Sequence, residues 1–423
     1  MTPIYTSRSQ LEAYQACPRK YLYEYVWEGG LDLDMSALAL NTGSAVHLAA
    51  ETILKDGGGQ THSALQRGLA QAVASEPFAA LPTEEDRDLV TALVRTWWLH
   101  GLPALAGWKV EDVEREEVFD YFLEPSSEAY GVEMDAAAVV RFQSRSDWVA
   151  RAPEAGTERP LGPLALNGLP VPPGLYNWNL KIWRSCDPRG CPSGKCGWCS
   201  ACRRKALQTD AQTYTELLGA ERRLGERFVG VIYQILIKQD HPLVWAFRHP
   251  QTGAMFFRSS WRCSAAHENT HKKKPDLCPG DRFHKLPEGF ERVLVRDFPG
   301  GQEAHFERLR AEEPALLSDM HVILGPMPRP SDYLMEEWTE MWLPRAATLA
   351  TAAEETERLR KGGNPEALER HLRKEWPKHT AHGNCVKVYG GRCPAYAICH
   401  EGADPSGWPR RVANHPIGDE HGT

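Results

Sequence analysis

The sequence predicts an α/β or α+β fold in which a mixed central sheet is flanked by helices, and three observations predict it. Helical periodicity runs through the first hundred residues, strand-like alternation with β-branched residues replaces it from "WKVEDVEREEVFDYFL" to "LYNWNLKIWRS", and long helices return between residues 330 and 375. One further helix and one apolar strand lie between the last two parts, so helices precede and follow the strands that would build the sheet.

Each element has its own justification. Ser7 or Ser9 is a candidate N-cap for an opening helix whose apolar face starts at Leu11, Ala13 and Tyr14 and runs towards Cys17, where Pro18 re-aims the chain into "RKYLYEYVW". A second helix is expected from near Gly43, and "SAVHLAAETIL" places His47 and Glu51 one turn apart on one face. Residues 61–105 read as one or two amphipathic helices with Trp97 and Trp98 as core residues. Two strand regions follow, "WKVEDVEREEVFDYFL" and "AAAVVRFQSRSDWVARA", then a Pro/Gly-rich loop, "GTERPLGPLALNGLPVPPG", that leads into the strand "LYNWNLKIWRS". Beyond a cysteine-rich insertion, "QTDAQTYTELLGAERRLG" reads as a helix and "RFVGVIYQILIK" as a buried strand. The chain divides on this reading into a helical segment 1–110, a core 111–320 carrying the insertion at 186–202, and a C-terminal segment 321–423.

Composition excludes several classes. A chain of 423 residues with 42% hydrophobic and 25% charged residues can build a large core, and no apolar run approaches the length of a membrane span. "MTPIYTSRSQLEAYQACPRK" has no apolar signal-peptide region, so the expected location is cytoplasmic, where 11 cysteines point to metal ligands before disulfides. A net charge of -7 argues against indiscriminate coating of nucleic acid and leaves room for a locally basic groove.

Four features in a fixed order carry chemistry: His47 on an early helix, Asp147 in a strand, Lys181 in the next strand, and Gln212 with Tyr214 on the helix after it. A hydrolytic nuclease site needs a carboxylate and an imidazole to hold a divalent cation, and a lysine to orient or polarise the attacking water. Through "LEAYQACPRKYLYEY", "GSAVH", "SRSDWV", "NLK", "DAQTY", "GVIYQILIK" and the last cysteine stretch, the sequence resembles the PD-(D/E)XK nuclease superfamily, in its RecB/AddB-type branch with the related CRISPR-adaptation and phage exonucleases. The resemblance implies a restriction-endonuclease-like core, Mg²⁺ or Mn²⁺ held by His47 and Asp147, Lys181 acting on the nucleophile, and Gln212 organising the site and the strand. It also implies DNA as substrate, as single strands or ends, in repair, recombination or phage DNA processing.

One residue departs from that pattern. Asn179 stands where the family carries a metal-binding carboxylate, and an amide oxygen brings no charge to a hard cation. Three explanations stay open: an impaired site, Glu51 supplying the carboxylate from the face of His47, or an Asn179 that suffices with help elsewhere.

The resemblance also assigns the cysteines. In iron-sulfur members one cysteine precedes the core and three follow it, which here implies a 4Fe-4S cluster on Cys17, Cys385, Cys393 and Cys399 that joins the two terminal segments, with zinc as the alternative on the same sulfurs. By spacing, Cys186, Cys191, Cys196, Cys199 and Cys202 form a second candidate ligand group, for zinc or as free thiols, and Cys263, His267, His271 and Cys278 a weaker third. Basic residues gather near both (Arg184, Arg189, Lys195, Arg203, Arg204, Lys205, Lys272, Lys273 and Lys274), with Trp183 and Trp198 available for base stacking. No G-x-x-x-x-G-K-[ST] phosphate loop occurs, so a helicase motor would be a partner. Alternatives to a nuclease are a nuclease-fold DNA-binding subunit that cuts poorly and a zinc-rich interaction module.

Overall fold

A computed structural model describes residues 4–377 apart from 8–9, 11–12, 15–16, 32–37, 58, 124–137, 154–164, 167–168, 184–206, 208–210, 254 and 257–290, together with 393, 395–401, 403–408 and 410. A six-stranded mixed sheet forms its centre. The strands are β1 (Ile4–Ser7), β2 (Lys109–Leu123), β3 (Ala138–Ala152), β4 (Gly174–Trp183), β5 (Phe228–Ile237) and β6 (His321–Pro328). Along the sheet the order is β1, β3, β4, β5, β6, and β2 pairs with β3. β3 is long enough to serve two partners in turn: its first half runs parallel to β1 from Val140 to Gln143, and its second half is antiparallel to β4 from Trp148 to Ala152. β4 and β5 are parallel, as their helical crossover requires, and β6 closes the sheet antiparallel to β5.

Alternation along the strands buries opposite faces against two helical layers. On one face Trp148, Ala150, Tyr176, Trp178, Leu180, Ile232 and Leu236 pack against α1 (Leu38–Lys55) and α2 (Glu84–Thr96). On the other, Val149, Leu175, Val231, Tyr233 and Ile235 pack against α3 (Ala211–Leu224) and α4 (Asp332–Lys361). Trp97 and Trp98 follow α2 and are core residues, as expected, with Trp97 donating to the buried Gln234 of β5 over 2.6 Å.

The sequence reading differs from the structure at several elements. Ser7, one of the two candidate N-caps, ends a strand instead, because Ile4–Ser7 add in parallel to β3, and Ser9, the other, lies outside the described residues. The helix carrying His47 starts at Leu38, before Gly43. β6, the helix Gly301–Glu312 and a three-stranded sheet built by Trp245–Arg248, Met255–Phe256 and Glu291–Leu294 were not foreseen.

A third apolar cluster joins residues 13–31 to residues 349–398. Trp376, just past α5 (Pro365–Glu375), is fully buried and stacks on Tyr21 at 5.7 Å, while Tyr14 meets its edge at 6.4 Å. Arg19 clamps the end of that helix, donating from Nε to Trp376 O (2.7 Å) and from a terminal nitrogen to Leu372 O (2.8 Å). These bonds satisfy carbonyls that a helix C-terminus leaves without partners. Among the described residues no helix is long and apolar enough to cross a membrane.

Candidate metal centre

Three side chains from three elements converge where β3 passes from its pairing with β1 to its pairing with β4. His47 comes from α1, Asp147 from β3 and Glu114 from β2, and one ligand atom of each lies within 4.8 Å of the other two. Strand register explains the meeting of the carboxylates. Val113 pairs with Trp148 and Arg115 with Ser146, so Glu114 falls opposite Asp147. Glu114 has φ +51°, a left-handed conformation that is uncommon for a residue with a side chain and that recurs where function holds the backbone.

Each carboxylate has one oxygen anchored and the other turned to the imidazole. Asp147 Oδ2 accepts from the backbone N–H of Leu180 (2.6 Å), and its Oδ1 lies 3.4 Å from His47 Nδ1. Glu114 Oε2 accepts from Arg145 Nε (2.7 Å), and its Oε1 lies 2.9 Å from His47 Nδ1. His47 Nε2 bonds Leu180 O at 3.1 Å, which makes Nε2 the proton-bearing nitrogen of this pair. Burial alone would lower the His47 pKa, but Asp147 and Glu114 outweigh it and raise it from 6.5 to about 9. With no metal present the imidazole therefore carries a proton between two carboxylates at neutral pH. A nitrogen and two carboxylate oxygens this close are a fitting donor set for a divalent cation, which would take over the charge-balancing role of that proton.

Beside this centre the strand β4 and the helix α3 share a buried polar seam. Asn177, Asn179 and Lys181 project from alternate positions of β4, and Gln212 and Glu216 from one face of α3 at i, i+4. Lys181 Nζ donates to Gln212 Oε1 over 2.6 Å. Gln212 Nε2 donates to Asn179 Oδ1 over 3.2 Å and also to Glu216 Oε1. Glu216 Oε2 accepts from Asn177 Nδ2 over 2.6 Å. Asn177, Asn179, Gln212 and Glu216 are all buried. Burial, with the charge of Asp147, pushes Glu216 up to about 7 against the pull of Lys181 and the two amide donors. Among the described residues Asn179 Nδ2 and Asn177 Oδ1 have no hydrogen-bond partner.

Of the sequence candidates, the structure brings together His47, Asp147, Asn179, Lys181 and Gln212. It keeps two apart from them. Glu51 does not join His47 in the three-residue metal-competent group and pairs with Lys55 at i+4, so the carboxylate that accompanies His47 and Asp147 is Glu114 instead. Tyr214, two residues from Gln212, leaves α3 on another face and stacks on Trp338 at 6.1 Å within an apolar cluster. The residue at the helical spacing that reaches Gln212 is Glu216. Glu114 and Glu216 both escaped the sequence reading. Glu114 is one of five acidic residues between Glu111 and Glu117, with no pattern to single it out, whereas the Gln212-x3-Glu216 spacing was visible.

The cysteines divide between described and undescribed residues. Cys17, Cys393 and Cys399 line one small cavity with Arg19, Tyr396 and His400. Cys385 lies outside the described residues, as do Cys186, Cys191, Cys196, Cys199 and Cys202, the set Cys263, His267, His271 and Cys278, Trp198, and the basic runs at 184–205 and 272–274. Trp183 packs against the apolar cluster under α3 and α4.

A search of curated proteins finds no match to the chain. Residues 5–158, the stretch that carries His47, Glu114 and Asp147 but stops short of Asn179 and Lys181, match the family model of the PD-(D/E)XK nuclease superfamily.

Proposed function

We propose that the protein is a metal-dependent nuclease of the PD-(D/E)XK type that hydrolyses DNA phosphodiesters, acting on single strands or ends. The observation that carries this reading is the convergence of His47, Glu114 and Asp147 on a mixed sheet, within the stretch that matches the superfamily. A divalent cation such as Mg²⁺ or Mn²⁺, when bound there, supplies Lewis-acid stabilisation of phosphoryl charge and lowers the pKa of water. The chain's own part is positioning. Leu180 N–H and Arg145 each fix one oxygen of a carboxylate, which leaves the other oxygens aimed inward. Lys181, held by Gln212, orients the attacking water and adds positive charge next to the centre.

In the finer reading, Cys17, Cys385, Cys393 and Cys399 hold a structural 4Fe-4S cluster, supported by the shared cavity of three of them. Its place is beside the aromatic cluster that already joins the terminal segments. A second reading is favoured by Asn179, whose amide oxygen is engaged by Gln212 and brings no charge: a nuclease-fold DNA-binding subunit that cuts poorly. One experiment separates them. Anaerobically purified protein is assayed on end-labelled single- and double-stranded DNA with Mg²⁺ or Mn²⁺, beside Asp147→Ala. Metal-dependent cleavage lost in the variant supports the nuclease, and DNA binding without cleavage by folded protein supports the subunit.

A further inference from the structure

The Gln212 side chain is the joint between two charged groups. A terminal amide has two ends of nearly equal shape, and only its hydrogen-bond partners decide which end points where. Here Oε1 faces the Lys181 ammonium, and Nε2 faces the Glu216 carboxylate and Asn179 Oδ1. Turning the amide over would set an oxygen against a carboxylate and an NH₂ against an ammonium, in a buried place where both mismatches are costly. Asn179 alone is a weak guide for Gln212, because its own amide can also turn and its Nδ2 has no partner among the described residues. Both oxygens of Glu216 face amide N–H groups and act as acceptors, and Asn177 Nδ2 pins the second of them.

We propose that Glu216 is a positioning residue that locks the Gln212 amide so that its oxygen holds the Lys181 ammonium in place. The inference rests on the reading of Lys181 as the group that orients the nucleophile. It gives the buried acid of α3 a task distinct from metal ligation, since both of its oxygens are already engaged by amides.

The test compares Glu216→Met, which keeps the length and removes the acceptors, with Glu216→Gln, which keeps an acceptor for Gln212. Glu216→Met is expected to lower kcat about 10-fold or more, with KM for DNA and the half-saturating Mn²⁺ concentration unchanged, and Glu216→Gln to recover part of the rate, since its single acceptor oxygen can face Gln212 but its amide can also turn. In a Lys181→Met background, Glu216→Met should cost nothing further, because both changes act at one joint. Equal losses in Met and Gln accompanied by weaker Mn²⁺ binding would instead make Glu216 a ligand and overturn the proposal, as would additive losses in the double variant. A readout that needs no cleavage is the Lys181 ammonium resonance in protein labelled with ¹⁵N-lysine. It should be protected in the unsubstituted protein, partly protected in Glu216→Gln and lost in Glu216→Met. Gln212→Leu, which breaks the link from the other side, should also lose it and serves if Glu216→Met does not fold. An unchanged resonance overturns the positioning role; the expected resonances in a protein that never cuts DNA would overturn the nuclease reading alone.

Discussion

Replacing Glu114 by glutamine removes one of the two charges that hold the His47 proton and leaves the shape almost intact. The rise of the His47 pKa from 6.5 to about 9 corresponds to roughly 3 kcal/mol of pH-linked stabilisation. Asp147 at 3.4 Å and Glu114 at 2.9 Å from Nδ1 together overcome the burial that opposes it. Loss of Glu114 should then remove a large part of it, on the order of 1–2 kcal/mol. The sign follows from the direction of the shift. A raised histidine pKa contributes stability that is complete below 6.5, the unfolded value, and is lost as pH rises through about 9. The Glu114→Gln deficit should accordingly be largest below pH 6.5 and shrink above pH 9. Loss of the Arg145 contact adds an offset that does not follow this profile. Urea unfolding of both proteins across that range measures the deficit, and NMR titration of His47 measures its cause. A deficit that is flat with pH, or a His47 that titrates alike in both proteins, would refute the argument. The same variant should bind Mn²⁺ at least ~10-fold more weakly, since a charged donor of the centre is gone.

Three further predictions concern other parts of the molecule. Asn179→Asp should lower stability of the metal-free protein, because it adds a fully buried carboxylate next to Asp147 and Glu216, and should raise cleavage and Mn²⁺ affinity; thermal unfolding with and without Mn²⁺ measures the first effect, and equal or lower activity would count against the second. Buried His241, lowered to about 3 by desolvation, and His305, lowered to about 4 chiefly by burial, stay neutral when folded. Stability should therefore fall as pH drops below 6.5, by ~1.4 kcal/mol per pH unit for each, and His241→Gln should flatten the acid side of the profile. Cys17→Ala should lose iron and the broad visible absorption of a cluster while still unfolding cooperatively, because the Trp376 aromatic cluster does not depend on it; iron analysis and calorimetry test this, and unsubstituted protein that carries zinc alone would refute it.

The sheet and its helical layers were legible because long periodic segments state their own geometry. β3 and β5 alternate or run apolar over long stretches, and α4 continues for 30 residues behind a Ser331 N-cap. β1 was not legible: four residues, "IYTS", become a strand only because the first half of β3 offers them an edge. At the site, His47, Asp147, Lys181 and Gln212 could be found by order along the chain. Glu114 could not, since its role depends on which residue of a neighbouring strand it faces and on a backbone conformation that no pattern announces. Glu216 was lost for a different reason. Tyr214 shares the string "DAQTY" with Gln212, but a helix turns a residue at i+2 away and brings the one at i+4 alongside.

The junction between the terminal segments has a consequence for how the protein is made. Arg19 waits for the carbonyl of Trp376, 357 positions later, which at ribosomal rates is a delay of about 20 to 70 s. Tyr21, Leu22 and Val26 belong to the apolar cluster that residues 349–398 complete, so their burial is finished only when those residues have been made. His47, Glu114, Asp147, Lys181, Gln212 and Glu216 are all synthesised well before that moment. The six residues of the candidate site are thus present in the growing chain before the N-terminal aromatic residues meet their C-terminal partners, so a chaperone that shields residues 21–26 in that interval is expected to raise the yield of folded protein.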